Sequence, residues 1–213
     1  MRHPAALLFV LSLFASTSHA SPEVELFNGH DFAGWEFVTV PALDIKEVCT
    51  FKPGGVIAVA GKPVGFIATT VSHTNYMLHA EWRWRDKPGN GGLLVHISSG
   101  PKDRAWPLSF QIQTKNGNTG DLLPMAGATF AEPLTSAPNA APALKGHIAL
   151  DSEKSPGEWN TCDITCRGDT IEIMINGVRQ NAVTRVNPAS GRVGFQLEGV
   201  PFELRHVRLT PLD

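Results

Sequence analysis

The stretch WPLSFQIQTKNGNTGD, residues 106–121, concentrates groups able to hold a hydroxyl-rich ligand. Phe110 and Ile112 alternate with Gln111, Gln113 and Lys115, so an extended chain would carry two amides and an ammonium on one face. An amide donates and accepts from one planar group, and a cation can take up developing negative charge on oxygen. Trp106, at the head of the stretch, offers a flat ring for the C–H face of a sugar, and Asp121 follows the turn. The same alternation also describes a half-buried strand whose outer side chains merely meet water.

Two further rows carry titratable groups. In LHAEWRWR, residues 78–85, period two sets Leu78, Ala80, Trp82 and Trp84 against His79, Glu81, Arg83 and Arg85. The plain reading is a solvated face with a cross-strand Glu–Arg ladder. In GLLVHIS, residues 92–98, His96 shares its face with Leu94 and Ser98, and a lone histidine among apolar neighbours is more often a hydrogen-bonded core residue. If the three rows met on one concave sheet, His96, Glu81, Arg83, Lys115, Gln111 and Gln113 would form a sugar groove with acid and base groups. Trp82, Trp84 and Trp159 read as core, whereas Trp106 remains open. The chain has no GxSxG elbow, phosphate loop, HExxH pair or ExDxxE strand, which argues against an ordinary two-carboxylate glycosidase.

The elements that must position these groups are short. Sixteen prolines and 20 glycines punctuate segments rich in Val, Ile, Phe, Trp and Thr, the pattern of an all-β sandwich or barrel. Strands are expected at 56–59, 66–70, 77–85, 92–98, 109–114, 147–150, 159–167, 170–175, 192–198 and 203–209, with a hairpin at Asn176-Gly177. Residues 126–145, rich in Ala and Pro, read as a long surface loop, either a functional lid or a plain insertion. At the start, Arg2, an apolar run over 5–15 and Ser18-x-Ala20 read as a signal peptide cleaved near Ala20, leaving 21–213 as one β domain. The run falls short of the ~20 residues of a membrane span. A net charge of −2 without a basic cluster leaves no footprint for nucleic acid. Cys49, Cys162 and Cys166 are odd in number; on one strand Cys162 and Cys166 would sit about 13 Å apart, too far for a disulfide, and buried free thiols are favoured over a bridge to Cys49.

Five blocks, in order, carry a resemblance: ELFNGHDFAGWEF (25–37), EWRWRDKPGNGGLLVHISSG (81–100), the 106–121 stretch, PGEWNTCDITCRGDTIEIMINGV (156–178) and GRVGFQLEGVPFELRHVRLTPL (191–212). The chain resembles the DUF1080 family, the 3-keto-disaccharide hydrolase or 3-keto-glucoside 1,2-lyase/3-keto-2-hydroxy-glucal hydratase domain. The resemblance implies a concanavalin A-like jelly-roll sandwich of two antiparallel sheets. It further implies an oxidised 3-keto sugar as substrate, supplied by a separate sugar oxidoreductase, with elimination across C1–C2 or hydration giving net hydrolysis. Such chemistry needs a base for the acidified C2 proton, an enolate stabiliser and an acid for the leaving group. His96 and Glu81 are candidate acid and base, Arg83 or Lys115 the stabiliser, and Gln111, Gln113, Trp106, Asp121, Gln196 and Glu198 candidate substrate contacts. No cofactor is required; a divalent metal on Asp121 or Glu198 is an alternative stabiliser. Members often carry Glu at the position of Gln111, a departure compatible with a non-catalytic sugar-binding module. A laminarinase-type glycosidase is the third reading. The leader places the protein in the periplasm or outside the cell.

Overall fold

The computed structural model describes residues 22–213; the expected leader lies outside the described residues. Fourteen strands follow one another: β1 Val24–Glu25, β2 Trp35–Val38, β3 Cys49–Lys52, β4 Val56–Val59, β5 Gly65–Thr69, β6 Tyr76–Trp84, β7 Gly92–Asp103, β8 Trp106–Gln113, β9 Leu122–Met125, β10 Asn160–Arg167, β11 Thr170–Ile175, β12 Val178–Val183, β13 Arg192–Leu197 and β14 Phe202–Pro211. They form two antiparallel sheets, one of eight strands in the order β12-β11-β10-β6-β14-β4-β3 with β1 on β14, the other of six in the order β2-β5-β13-β7-β8-β9. This is a sandwich, one of the two architectures that the strand patterning predicts, in the jelly-roll form that the resemblance implies.

Alternation explains which side chains meet between the sheets. On β6, Leu78, Ala80, Trp82 and Trp84 are buried while His79, Glu81 and Arg83 are only partly covered. On β10, Cys162, Ile164 and Cys166 point inward. Phe195, Leu93, Phe110 and Ile112 of the six-stranded sheet join the same core. All three cysteines are free and buried, packing as small hydrophobes. Burial pushes the Cys49 and Cys166 thiols up to about 12.

Nine of the ten expected strands form, with ends shifted by a few residues. The exception is 147–150, where Ile148 N donates to Gln180 O and Gln180 Nε2 donates to Leu150 O; the segment is tied down by single bonds rather than a ladder. Five strands lack a readable pattern. β9 contains Pro124, tolerated because β9 is the last strand of its sheet. β12 buries Gln180 and Asn181, polar residues that serve loop carbonyls: Asn181 Nδ2 donates to Gly120, Lys145 and Gly146 O. At the β11–β12 turn Asn176 and Gly177 have φ of 50° and 78°, the positive angles that an Asn-Gly hairpin uses.

Candidate functional site

The six-stranded sheet has one face on the core and another turned away from it. Register sets the rows of that outer face: Gln111 pairs with Leu94, Gln113 with Gly92, and Gln196 with Phe66. A cleft of about 410 Å³ opens over the β13, β7, β8 and β9 end of this face. Gln111, Gln113 and Gln196 line it, together with Lys115, Glu198 and Trp106. Volumes of roughly 300 to 1,000 Å³ are typical of small-molecule sites.

The amides are held in place by their surroundings. Gln111 Nε2 donates to Gln113 Oε1 at 2.7 Å, and both residues are nearly fully buried. Gly92 makes room for this pair, since a Cβ there would lie 2.5 Å from Gln111 Cγ. Gln196, 2% exposed, keeps its Oε1 without a hydrogen-bond partner, and Asn90 Oδ1 is likewise unpartnered. Asn90 Nδ2 donates to Glu198 Oε2 at 2.7 Å. Burial pushes the Glu198 carboxyl up, while the charges of Lys115 and Arg104 pull it partly back. Asp103, the other carboxylate lining the cleft, is exposed and lies 3.6 Å from Arg104 Nε.

Lys115 reaches the cleft from the turn after β8. Thr114 N donates to Gly91 O and Asn116 N to Gly89 O, so the turn is bonded to the segment before β7. Glu153 braces it from behind: its carboxylate accepts from Asn116 Nδ2 at 2.9 Å and from Trp84 Nε1 at 3.0 Å. Across the cleft, the wall changes character. Leu123, Pro124, Met125 and Ala126 run out of β9, and Ala140, Ala141, Pro142 and Ala143 come from the Ala/Pro-rich loop. That loop closes on itself, with Thr135 N and Ser136 N donating to Leu144 O, and Lys145 exchanges two backbone bonds with Leu122.

Four residues of the expected groove stand elsewhere. Glu81 and Arg83 lie on β6, in the eight-stranded sheet, on its outer side; the three rows do not share a face. Arg205 Nε donates to Glu81 Oε2 at 2.6 Å and Arg83 Nε to Glu203 Oε2 at 2.7 Å, the cross-strand ladder of the plain reading. Trp159 is no core residue either, because its ring sits half-buried between the Arg83 and Arg205 guanidinium groups, 4.5 and 4.1 Å from its centroid. His96 is fully buried, with φ of 53° at a bulge between β7 and its neighbours. Its ring meets Tyr76 and Phe110 edge-on, and Nδ1 bonds Pro188 O at 3.0 Å. Burial lowers its pKa, so the imidazole is a neutral core group. The bulge turns both Val95 and His96 inward and hands the face of Leu94 to Ile97. Asp121, 3% exposed, spends Oδ1 on His147 N at 2.8 Å and His147 Nδ1 at 2.6 Å.

Among the described residues no group of three or more His, Cys, Asp or Glu side chains is placed to hold a metal ion. The cleft residues that the sequence does not announce are Asn90, Asp103, Arg104, the β9 edge and the 140–143 tip. Asn90 stands in a Gly-Asn-x-Gly turn and the tip in the long Ala/Pro loop, both visible as loops but not as neighbours of the glutamine strand.

Solved structures share the fold. Two proteins of Parabacteroides distasonis ATCC 8503, named as candidate glycosyl hydrolases, align over 90% of this chain. One is 21% identical, with 94% of its own length covered and a TM-score of 0.63; the other is 19% identical, with 100% covered and 0.66. The carbohydrate-binding module CBM66 of Bacillus subtilis is 10% identical over 83% of this chain and 95% of its own, with a TM-score of 0.60. No curated protein matches the chain. The sequence profile of the 3-keto-alpha-glucoside-1,2-lyase-like domain matches residues 22–210, and the chain belongs to that family.

Proposed function

We propose that this protein cleaves 3-keto glycosides, with Glu198 moving the C2 proton and the glutamine floor holding the sugar. The observation that carries the reading is the half-buried Glu198 carboxylate, held by Asn90 in a cleft of amides. Desolvation raises its pKa. A carbonyl at C3 acidifies the C2–H bond, so a base of raised pKa is matched to it. The electron pair from C2–H forms the C1–C2 double bond as the C1–O bond to the aglycone breaks, and the departing oxygen takes up a proton. Charge that builds on the C3 oxygen in this step needs nearby donors; Lys115 and the free edges of Gln111, Gln113 and Gln196 line the same space. Addition of water to the resulting enol ether completes net hydrolysis. The ketone itself has to be installed beforehand by a separate sugar oxidoreductase, and the protein works in the periplasm or outside the cell once its leader is removed. No helix of the described residues is long and apolar enough to cross a membrane.

Gln111 supports a second reading, a sugar-binding module that has lost turnover, because a neutral amide stands where relatives often place an acid. One assay separates the two. The mature protein is incubated with a 3-keto glucoside and with its unoxidised parent, and aglycone release is followed. Release from the oxidised sugar, lost in Glu198→Gln, is expected. Binding without release would replace the enzyme by the module, and release from the unoxidised sugar alone would indicate an ordinary glycosidase.

A further inference from the structure

Building on the cleavage reading, we propose that the cleft selects 3-keto glycosides with an apolar aglycone, aryl or alkyl, over 3-keto disaccharides. The strand order β13-β7-β8-β9 gives the cleft a direction. Its β13 and β8 side carries Gln196, Gln111 and Gln113, with Glu198 and Lys115 beyond the strand ends. Its β9 side carries Leu123, Pro124, Met125 and Ala126, faced by the loop tip at 140–143. None of those eight side chains offers a hydrogen-bond donor or a strong acceptor.

Pro124 and Pro142 have no N–H, and Ala140 N already donates to Ala137 O. A second sugar would bring hydroxyl groups into this half of the cleft, where no side chain can pair with them, whereas a phenyl or alkyl group would cover apolar surface. Trp106, half-buried at the rim, adds a ring face. With the sugar over the amides and C1 toward β9, its aglycone meets this apolar wall.

The test compares phenyl 3-ketoglucoside with a 3-keto disaccharide of two glucose units, by turnover on the native protein and by calorimetric binding on Glu198→Gln. Phenyl substrate is expected to show a KM at least about tenfold lower, the scale on which an apolar pocket discriminates. Ala141→Asp, at the exposed tip, is expected to shrink that ratio toward one. Equal or better handling of the disaccharide, or an unchanged ratio in Ala141→Asp, overturns the aglycone proposal while leaving cleavage intact. Tight binding of the phenyl glycoside without turnover overturns cleavage and supports the apolar subsite. Neither binding nor turnover overturns both.

Discussion

Gly92→Ala separates the work of the cleft from the stability of the sandwich. The new Cβ would lie 2.5 Å from Gln111 Cγ and 3.0 Å from its Cδ and Nε2, against an ordinary carbon contact of about 3.5 to 4.0 Å. Gln111 has to move by about 1 Å or more, yet it is 2% exposed and bonded to Gln113. Losing that bond costs about 0.5 to 1.5 kcal/mol, and a strained rotamer about as much. Replacing a strand glycine returns about 0.4 to 1 kcal/mol through the unfolded chain. The net loss is therefore about 0.5 to 2 kcal/mol, a fall in Tm of roughly 1 to 8 °C at about 2 to 4 °C per kcal/mol for a domain of this size. Misplacing the amide by 1 Å should cost about a hundredfold in kcat/KM.

Gly194→Ala provides the contrast. Its Cβ would meet the backbone oxygen of Ile67 at 2.3 Å, on the neighbouring strand β5, and a carbonyl in a ladder cannot rotate aside. That variant should lose far more stability than Gly92→Ala. Thermal unfolding and aglycone release from a 3-keto glucoside, measured on both, give the comparison. Adding Gln111→Ala to Gly92→Ala should relieve the clash but recover neither the Gln111–Gln113 bond nor the turnover. If Gly92→Ala retains full turnover, or if it unfolds as readily as Gly194→Ala, the idea that Gly92 exists to seat Gln111 is wrong.

Further expectations concern charge and thiols. Because Glu198 has a raised folded-state pKa, its ionisation opposes folding as pH rises through the window from the unfolded carboxylate value upward. Glu198→Gln should thus abolish turnover yet unfold at a higher temperature at pH 7; a lower melting temperature would contradict the desolvation argument. His79 is raised instead, first by its 2.6 Å bond to Asp163, so its contribution is complete below an unfolded pKa near 6.5 and disappears as pH rises through the folded value. Denaturant midpoints of native protein and His79→Ala should converge at alkaline pH, and a constant gap would refute the linkage. Arg205→Ala leaves Glu81 only His79 Nε2 at 3.8 Å and removes one of the two guanidinium groups over Trp159, at a cost of about 0.5 to 1.5 kcal/mol by urea unfolding, with kcat/KM unaltered because both lie on the other sheet. A large kinetic effect would mean that the outer ladder communicates with the cleft. The three thiols should resist a disulfide reagent until the protein unfolds, and rapid labelling of the native state would contradict their burial.

How much of this was legible depended on how local the signal was. The glutamine strand was readable because period two needs only the strand itself, and Gln111, Gln113 and Lys115 do reach one cleft. Glu81 and Arg83 fall outside the cleft because the chain passes from β6 in one sheet to β7 in the other, a change of sheet that period two does not announce. His96 was put on the wrong face because a bulge adds one residue to the count, and nothing in GLLVHIS announces it. Asp121, expected at the sugar, instead secures a loop backbone that only folding brings within reach, as does Asn181. The apolar wall escaped notice for the same reason, since Ala140 to Ala143 carry no pattern until the loop closes over β9.

The closure of that loop has an evolutionary consequence. Its stem is secured by main-chain bonds at Thr135, Ser136 and Leu144 and by the Lys145–Leu122 bridge, none of which depends on the identity of the tip residues. Mutation can therefore rewrite positions 140–143, and with them the range of leaving groups, without touching the sandwich or the amide floor.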